Sequence, residues 1–330
     1  MTARTRTFRI AAVGVAVVLA ATACSGGGRE KTEESDTGGG NAAGSSGYTI
    51  AFITHETPGD TFWDKVKNGA NQAAKDTGVT LKYSNDPEAP KQAVLIQNAV
   101  DSKVDGIATT LVTPDALAGA VKAATDAKIP VVGFNSGIGD YQRLGALMYF
   151  GSDETLAGTE AGKKLAAQGV KHPLCVIQQT GSVALEARCA GVKSSVPGTE
   201  NIQVNGADDA AVTSTLQAKL AQDKSIDAIV TLGAPQALDA IKAKEQSSSQ
   251  AKLVTFDLNE QAATEIKNGN IVFSIDQQPY VQGYMAVTSL YLNIKNGNDI
   301  GGGKAVLTGP SFVDSANIDK ILPFTKNNTR

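Results

Sequence analysis

From residue 48 onward the chain alternates between two hydrophobic periods. Short, β-rich apolar runs at 48–53, 79–83, 106–110 and 130–134 are separated by segments at 62–75, 90–103 and 114–127 whose apolar residues recur at helical spacing. Gly78 sits where the first helical run should stop, and Pro114-Asp115 sits where the third should start. Strand and helix in strict alternation predict a parallel sheet covered by helices on both faces. The second half repeats the scheme. Strands are expected at 174–177, 202–204, 228–232, 252–256 and 271–275. Helices are expected at 155–167, 183–196, up to 220, from 235, at 260–267 and at 281–294. Two α/β units of similar size, joined near Gly151-Ser152-Asp153, predict two doubly wound lobes with a cleft between them. Ligands of open α/β sheets bind beyond the carboxyl ends of the strands, and both lobes would aim those ends at the cleft.

The first 47 residues break this pattern. Arg4, Arg6 and Arg9 precede an uncharged apolar run at 10–20, followed by Ala21-Thr22-Ala23-Cys24. That is the layout of a cleaved export signal, and the run is shorter than the roughly 20 residues of a spanning helix. The small residues leading to Cys24 resemble a bacterial lipobox, with Ala21 where Leu is usual. The expectation is a signal peptide over 1–23, an acylated Cys24, and a polar tether over 24–47 too poor in apolar residues to fold. An ordinary signal peptide with an incidental cysteine is the other reading. Lipidation would hold the protein at the extracytoplasmic face of the cell membrane.

Charge narrows the partners. Residues 1–23 carry three arginines and no acid, so their removal takes the net charge from −3 to −6. No basic face for nucleic acid follows from that balance. The two remaining cysteines are Cys175, in an apolar strand run, and Cys189, on the helical segment after it. In an exported protein such a pair suggests a disulfide closing a loop of about 15 residues, worth roughly 3 kcal/mol. Two buried thiols are the alternative, and without a Cys or His cluster no metal site is expected.

Catalytic motifs are scarce. His55 and His172 are the two histidines, and no G-x-S-x-G sequence occurs. Gly301-Gly302-Gly303-Lys304-Ala305 lacks the Walker spacing and its Ser/Thr, and Gln142 replaces the third glycine after Gly137-Ile138-Gly139. Neither an enzyme nor a cofactor is expected. Instead, polar and aromatic residues recur just after strand ends. They are His55, Asp60, Phe62 and Trp63, then Thr110, Asn135 and Ser136, then Arg188 on the helix after 174–177, then Asp257, Asn259, Asp276 and Gln277. Rings that stack on C–H faces, beside amides, carboxylates and one guanidinium, suit a polyhydroxylated ligand. Each has a structural alternative. Phe62 and Trp63 could be core, Arg188 a surface ion pair, Asp257 and Asn259 helix caps, and Gln277 a hinge residue.

Read together, these segments resemble a type I periplasmic binding protein of the ribose/simple-sugar class, the receptor of an ABC importer. The resemblance runs from Tyr48 to the end of the chain. It rests on Asp60-Thr61-Phe62-Trp63 with Lys67-Asn68-Gly69-Ala70, Val104-Asp105-Gly106-Ile107, and Ala127 to Val132. It continues with Gly151-Ser152-Asp153, Arg188-Cys189-Ala190-Gly191, Val254-Thr255-Phe256-Asp257 and Asp276-Gln277-Gln278-Pro279. The resemblance implies Phe62 and Trp63 sandwiching a sugar ring, and Arg188, Asp257 and Gln277 bonding its oxygens. Asp60 stands where the family's motif often has Asn, and Thr110, Asn135 and Asn259, taken from the strand ends, complete the expected ligand set. Asn135-Ser136 stands where the family commonly has Asp-Arg, and Gly233-Ala234-Pro235 where many members have Asn-Asp. Pentose, hexose, polyol and cyclitol therefore all stay open. A three-strand hinge is implied near 151–153, 277–279 and 309–312. That assigns 48–151 plus about 278–309 to the N-terminal lobe and 152–277 plus about 310–330 to the C-terminal lobe. The implied protein is a monomer that catalyses nothing and delivers its ligand to a membrane permease. A sugar-sensing co-receptor of a membrane signalling protein is the alternative.

Overall fold

The computed structural model describes residues 44–330. The expected signal peptide, Cys24 and most of the tether lie outside the described residues. At the tether's end, Ser46 is already tied to the folded part, donating its N–H to the Gly78 carbonyl at 2.8 Å.

The first half runs β1 (Thr49–Thr54), α1 (Phe62–Thr77), β2 (Thr80–Asn85), α2 (Ala89–Asp101), β3 (Gly106–Thr110), α3 (Pro114–Asp126), β4 (Val131–Phe134), α4 (Tyr141–Leu144) and β5 (Met148–Ser152). The second runs α5 (Glu154–Ala167), β6 (Pro173–Ile177), α6 (Val183–Ser195), β7 (Glu200–Gln203), α7 (Asp209–Gln222), β8 (Ala228–Thr231), α8 (Ala234–Ser247), β9 (Lys252–Phe256), α9 (Glu260–Asn268) and β10 (Phe273–Asp276). The chain then closes with α10 (Pro279–Asn296), β11 (Val306–Gly309), β12 (Ser311–Asp314) and α11 (Ile318–Lys326).

Two six-stranded sheets result, ordered β11-β5-β4-β3-β1-β2 and β12-β10-β9-β8-β6-β7. The expected two-lobed, doubly wound architecture is the one observed, with one departure: β12 runs antiparallel to β10. The inner strands β3, β4, β6 and β8 are buried at every residue, which is why they read as short β-rich runs with threonine as their only polar member. The outer strands β2 and β7 are largely exposed. Each sheet carries a hydrophobic cluster on both faces.

The two sheet orders correspond strand for strand, so β4 and β9 hold equivalent places. The chain passes between the sheets three times: from β5 into α5, from β10 into α10, and from β11 into β12. Helix α10 returns to the first lobe and packs against α1. That contact demands glycine on both sides. A Cβ on Gly69 would run into the Tyr280 carbonyl, and one on Gly283 into the Val66 carbonyl. In the second lobe α6 packs back on β6, and Cys175 and Cys189 are joined in a disulfide with Cα atoms 5.8 Å apart. The expected disulfide is thus present, and the alternative of two buried thiols falls away. Helices α4 and α11 were not anticipated, and β5, β11 and β12 were expected only as the hinge strands that the resemblance implies near 151–153 and 309–312.

Candidate functional site

Strand ends from both lobes meet around a cleft of about 650 Å³. The first-lobe wall comes from the β1–α1 loop and the end of β4. Thr57, Pro58 and Gly59 lead to Asp60, whose Oδ1 accepts the Phe62 N–H at 3.0 Å. Phe62 and Trp63 open α1 with their rings edge-to-face, 5.0 Å apart, and both line the cleft. The His55 ring meets Trp63 edge-on at 4.8 Å. Its Nδ1 lies 2.8 Å from the Thr110 hydroxyl, and burial pushes its pKa down to about 3. A neutral imidazole is therefore part of this wall at any ordinary pH.

Asn135 and Asp257 follow the equivalent strands β4 and β9. Both adopt the left-handed backbone conformation, with φ of 64° and 63°. Asn and Asp are the side-chain-bearing residues that tolerate it best, and such strain concentrates at functional positions. Gln277, at the β10–α10 crossing, bridges the two. Its Oε1 accepts from Asn135 Nδ2 at 3.3 Å, and its Nε2 donates to Asp257 Oδ1 at 2.9 Å. Gln282 Nε2 also donates to Gln277 Oε1, at 3.0 Å, which fixes the amide's orientation. One side chain thus joins both lobes at the floor of the cleft.

Arg188 rises from α6 on the second-lobe wall and is 3 % exposed. Its Nε and Nη2 clasp Glu154 at 2.6 and 3.1 Å, and Nη1 donates to the Leu232 carbonyl at 3.0 Å. The guanidinium lies over the Phe256 ring, 4.6 Å from its centre. Burial opposes its charge, yet Glu154 and Asp257 nearby hold it protonated more firmly than usual. Asp257 Oδ2 stands 3.7 Å from Nη1. Burial raises the Asp257 carboxyl to about 7 despite that arginine, and burial also raises Asp60.

Of the residues expected at the site, Asp60, Phe62, Trp63, Asn135, Arg188, Asp257 and Gln277 line one cleft. Thr110 does not. It is fully buried behind His55 and also accepts from Gln92 Nε2 at 3.0 Å. Asn259 does not line it either. Its Oδ1 caps α9 by accepting the Ala262 N–H at 2.7 Å, while its Nδ2 reaches across to Thr61 Oγ1 at 3.4 Å. Sequence reasoning missed Glu154, which reads as an ordinary first-turn acid, and Gln178, Asn205 and Gln236, which line the second-lobe wall. Outside the cleft lining, His172, Glu200 and Asp223 lie close together, but the Lys219 ammonium stands 2.8 Å from Glu200 Oε1 and occupies the place of a cation.

Residues 50–299 match the family described as a periplasmic binding protein domain, and the chain belongs to that family. It is 26 % identical over 262 residues to the ribose import binding protein RbsB of Haemophilus influenzae, covering 76 % of this chain and 86 % of that protein. It is 25 % identical over 305 residues to the xylose/arabinose-binding protein XylF of Sulfolobus acidocaldarius, covering 83 % and 73 %. A crystal structure of a carbohydrate transporter from Acidothermus cellulolyticus 11B, in complex with myo-inositol, is 55 % identical and aligns with a TM-score of 0.85. That alignment covers 86 % of this chain and 99 % of the other.

Proposed function

We propose that the protein is the solute receptor of an ABC importer and captures a neutral polyhydroxylated ring, a cyclitol of the myo-inositol kind or a monosaccharide. One observation carries the reading. The Phe62–Trp63 pair, Asp60 and Asn135 of one lobe face Arg188 and Asp257 of the other across a single cleft. Aromatic edges and faces suit ring C–H groups, and amide, carboxylate and guanidinium suit vicinal hydroxyls. The myo-inositol bound by the 55 %-identical carbohydrate transporter supports a cyclitol in particular. The relatives are sugar-binding transport proteins, so the chain binds its ligand and does not transform it.

The ligand touches both lobes at once, so it favours the closed form by whatever it gains from the second wall. Hydrogen bonds already cross the lips of the cleft, from the Val183 N–H to the Val112 carbonyl and from Asn259 to Thr61, both at 3.4 Å. In this reading residues 48–151 and 278–309 move against 152–277 and 310–330, with Asn259 and Thr110 in supporting positions. Cys24 carries the lipid that keeps the monomeric receptor beside its permease.

Trp63 is the single tryptophan of the chain and lines the cleft. Its emission should change saturably when the ligand-free protein is titrated with myo-inositol or a monosaccharide. A folded, ligand-free protein whose emission and thermal midpoint ignore every cyclitol and sugar would refute the proposal.

A further inference from the structure

The cleft presents a ligand with more carboxyl groups than cations; burial raises Asp60 and holds Asp257 at about 7, so a cationic ligand draws both toward the charged form while an anionic one does not. In the first-lobe wall, Asp60 spends Oδ1 on the Phe62 N–H at 3.0 Å. In the second-lobe wall, Asp257 spends Oδ1 on Gln277 Nε2 at 2.9 Å. Among the described residues no donor makes a hydrogen bond to the Oδ2 of either, the nearest cation being Arg188 Nη1 at 3.7 Å from Asp257. Arg188 is the one lysine or arginine in the lining, and its charge is already matched by the two-pronged contact with Glu154. The other nearby cation, Lys65, is fully buried behind the wall and donates to the Thr61 carbonyl at 3.2 Å. His55 is neutral, and Asp208 and Asp209 add two carboxylates at the edge of the lining.

We propose that this site selects its ligand by charge: it accepts neutral and ammonium-bearing rings, with Asp60 and Asp257 receiving an amino group in place of a hydroxyl, and it rejects carboxylate- or phosphate-bearing versions of the same ring. The inference rests on the polyol reading above and narrows it. An ammonium brings three donors where a hydroxyl brings one, and both free carboxylate oxygens can accept them. The charge attraction is strengthened inside a partly desolvated cleft. An anionic substituent finds no uncommitted cation and faces carboxyl groups instead, the arrangement by which binding sites exclude wrong partners.

The test is calorimetric titration of the ligand-free protein with three ligands built on one ring: myo-inositol, an aminodeoxy-inositol and an inositol monophosphate. The amino analogue is expected to bind within about threefold of myo-inositol or more tightly, and the monophosphate at least about 100-fold more weakly. Asp60→Asn and Asp257→Asn, which keep the shape and one acceptor, should each weaken the amine more than the neutral ring and narrow the gap to the phosphate. A monophosphate bound within about tenfold of myo-inositol, an amine that loses as much as the phosphate, or unchanged ratios in both variants would each overturn the proposal. Glucose, glucosamine and glucose 6-phosphate form a second set. Silence from every inositol with the same charge ranking on the glucose ring removes only the cyclitol reading. Silence from both sets overturns both.

Discussion

Arg188→Ala should unfold the protein at distinctly lower denaturant and weaken ligand binding, and the two effects have separate causes. Glu154 is 3 % exposed, and its carboxylate is held by Arg188 through Nε and Nη2. Truncating the arginine leaves a buried carboxylate without its partner, which costs about 3–5 kcal/mol. Against a typical stability of about 5–15 kcal/mol that is a large fraction. Urea unfolding followed by far-UV circular dichroism should show the midpoint fall with the slope unchanged. Removing both charges at once, as Arg188→Met with Glu154→Leu, should cost much less than Arg188→Ala alone, because Glu154 is then not stranded and Asp257, already raised to about 7, can stay protonated. Binding measured on folded Arg188→Ala should still be weaker by about 2–4 kcal/mol, since a charged donor is lost from the cleft wall. A single variant within about 1 kcal/mol of the parent would refute the claim that this pair is buried and mutually dependent.

Three further outcomes follow from the geometry. Gly283→Ala drives a methyl into the Val66 carbonyl of the facing helix and should destabilise by about 2–3 kcal/mol in urea, whereas Gly119→Ala, mid-helix with nothing within 4 Å, should be neutral or stabilising by up to about 1 kcal/mol. Replacing Cys175 and Cys189 together by alanine opens a loop of sequence separation 14 and should lower stability by about 3 kcal/mol, read as a lower calorimetric midpoint. Asp257 is raised from 3.8 to about 7, so the folded state holds a proton that the unfolded chain has released. Its contribution is complete below pH 4 and is lost as pH rises through 7. Stability of the ligand-free protein should therefore fall across that window by more in the parent than in Asp257→Asn, and identical pH profiles would contradict the assignment.

The sequence revealed the layered plan because buried inner strands leave a strong signature. Strands such as 106–110 and 252–256 are short β-rich runs, and the helices between them carry one apolar face. Local patterning hid the elements that stitch the lobes together, which were expected only through the family resemblance. Strand β5 reads as a junction because Gly151 and Ser152 end it, and β11 and β12 are split by Gly309-Pro310, a turn signal in local terms. Their pairing with β5 and β10 is non-local and leaves no periodicity to read. Seven expected ligand residues meet in the cleft because strand ends converge there in any two-lobed fold of this kind. Thr110 and Asn259 fell short for opposite reasons. The first points behind the wall, where His55 and Gln92 use its hydroxyl. The second does what its position before a helix allows and caps it. Glu154 could not be paired with Arg188 beforehand, since the two are 34 residues apart and meet only through the packing of α5 on α6. Nor could Gln277 be known to bridge Asn135 and Asp257 until both strand ends were in place.

The most direct test of the central claim is isothermal titration of the ligand-free protein with myo-inositol, repeated on Asp257→Asn. The account predicts one saturable site per chain in the parent and clearly weaker binding in the variant, because Asp257 stands in the cleft wall beside Arg188 and Gln277. Binding that is indifferent to the substitution would place the ligand elsewhere, and no heat from myo-inositol, other cyclitols or monosaccharides would contradict a polyol receptor altogether.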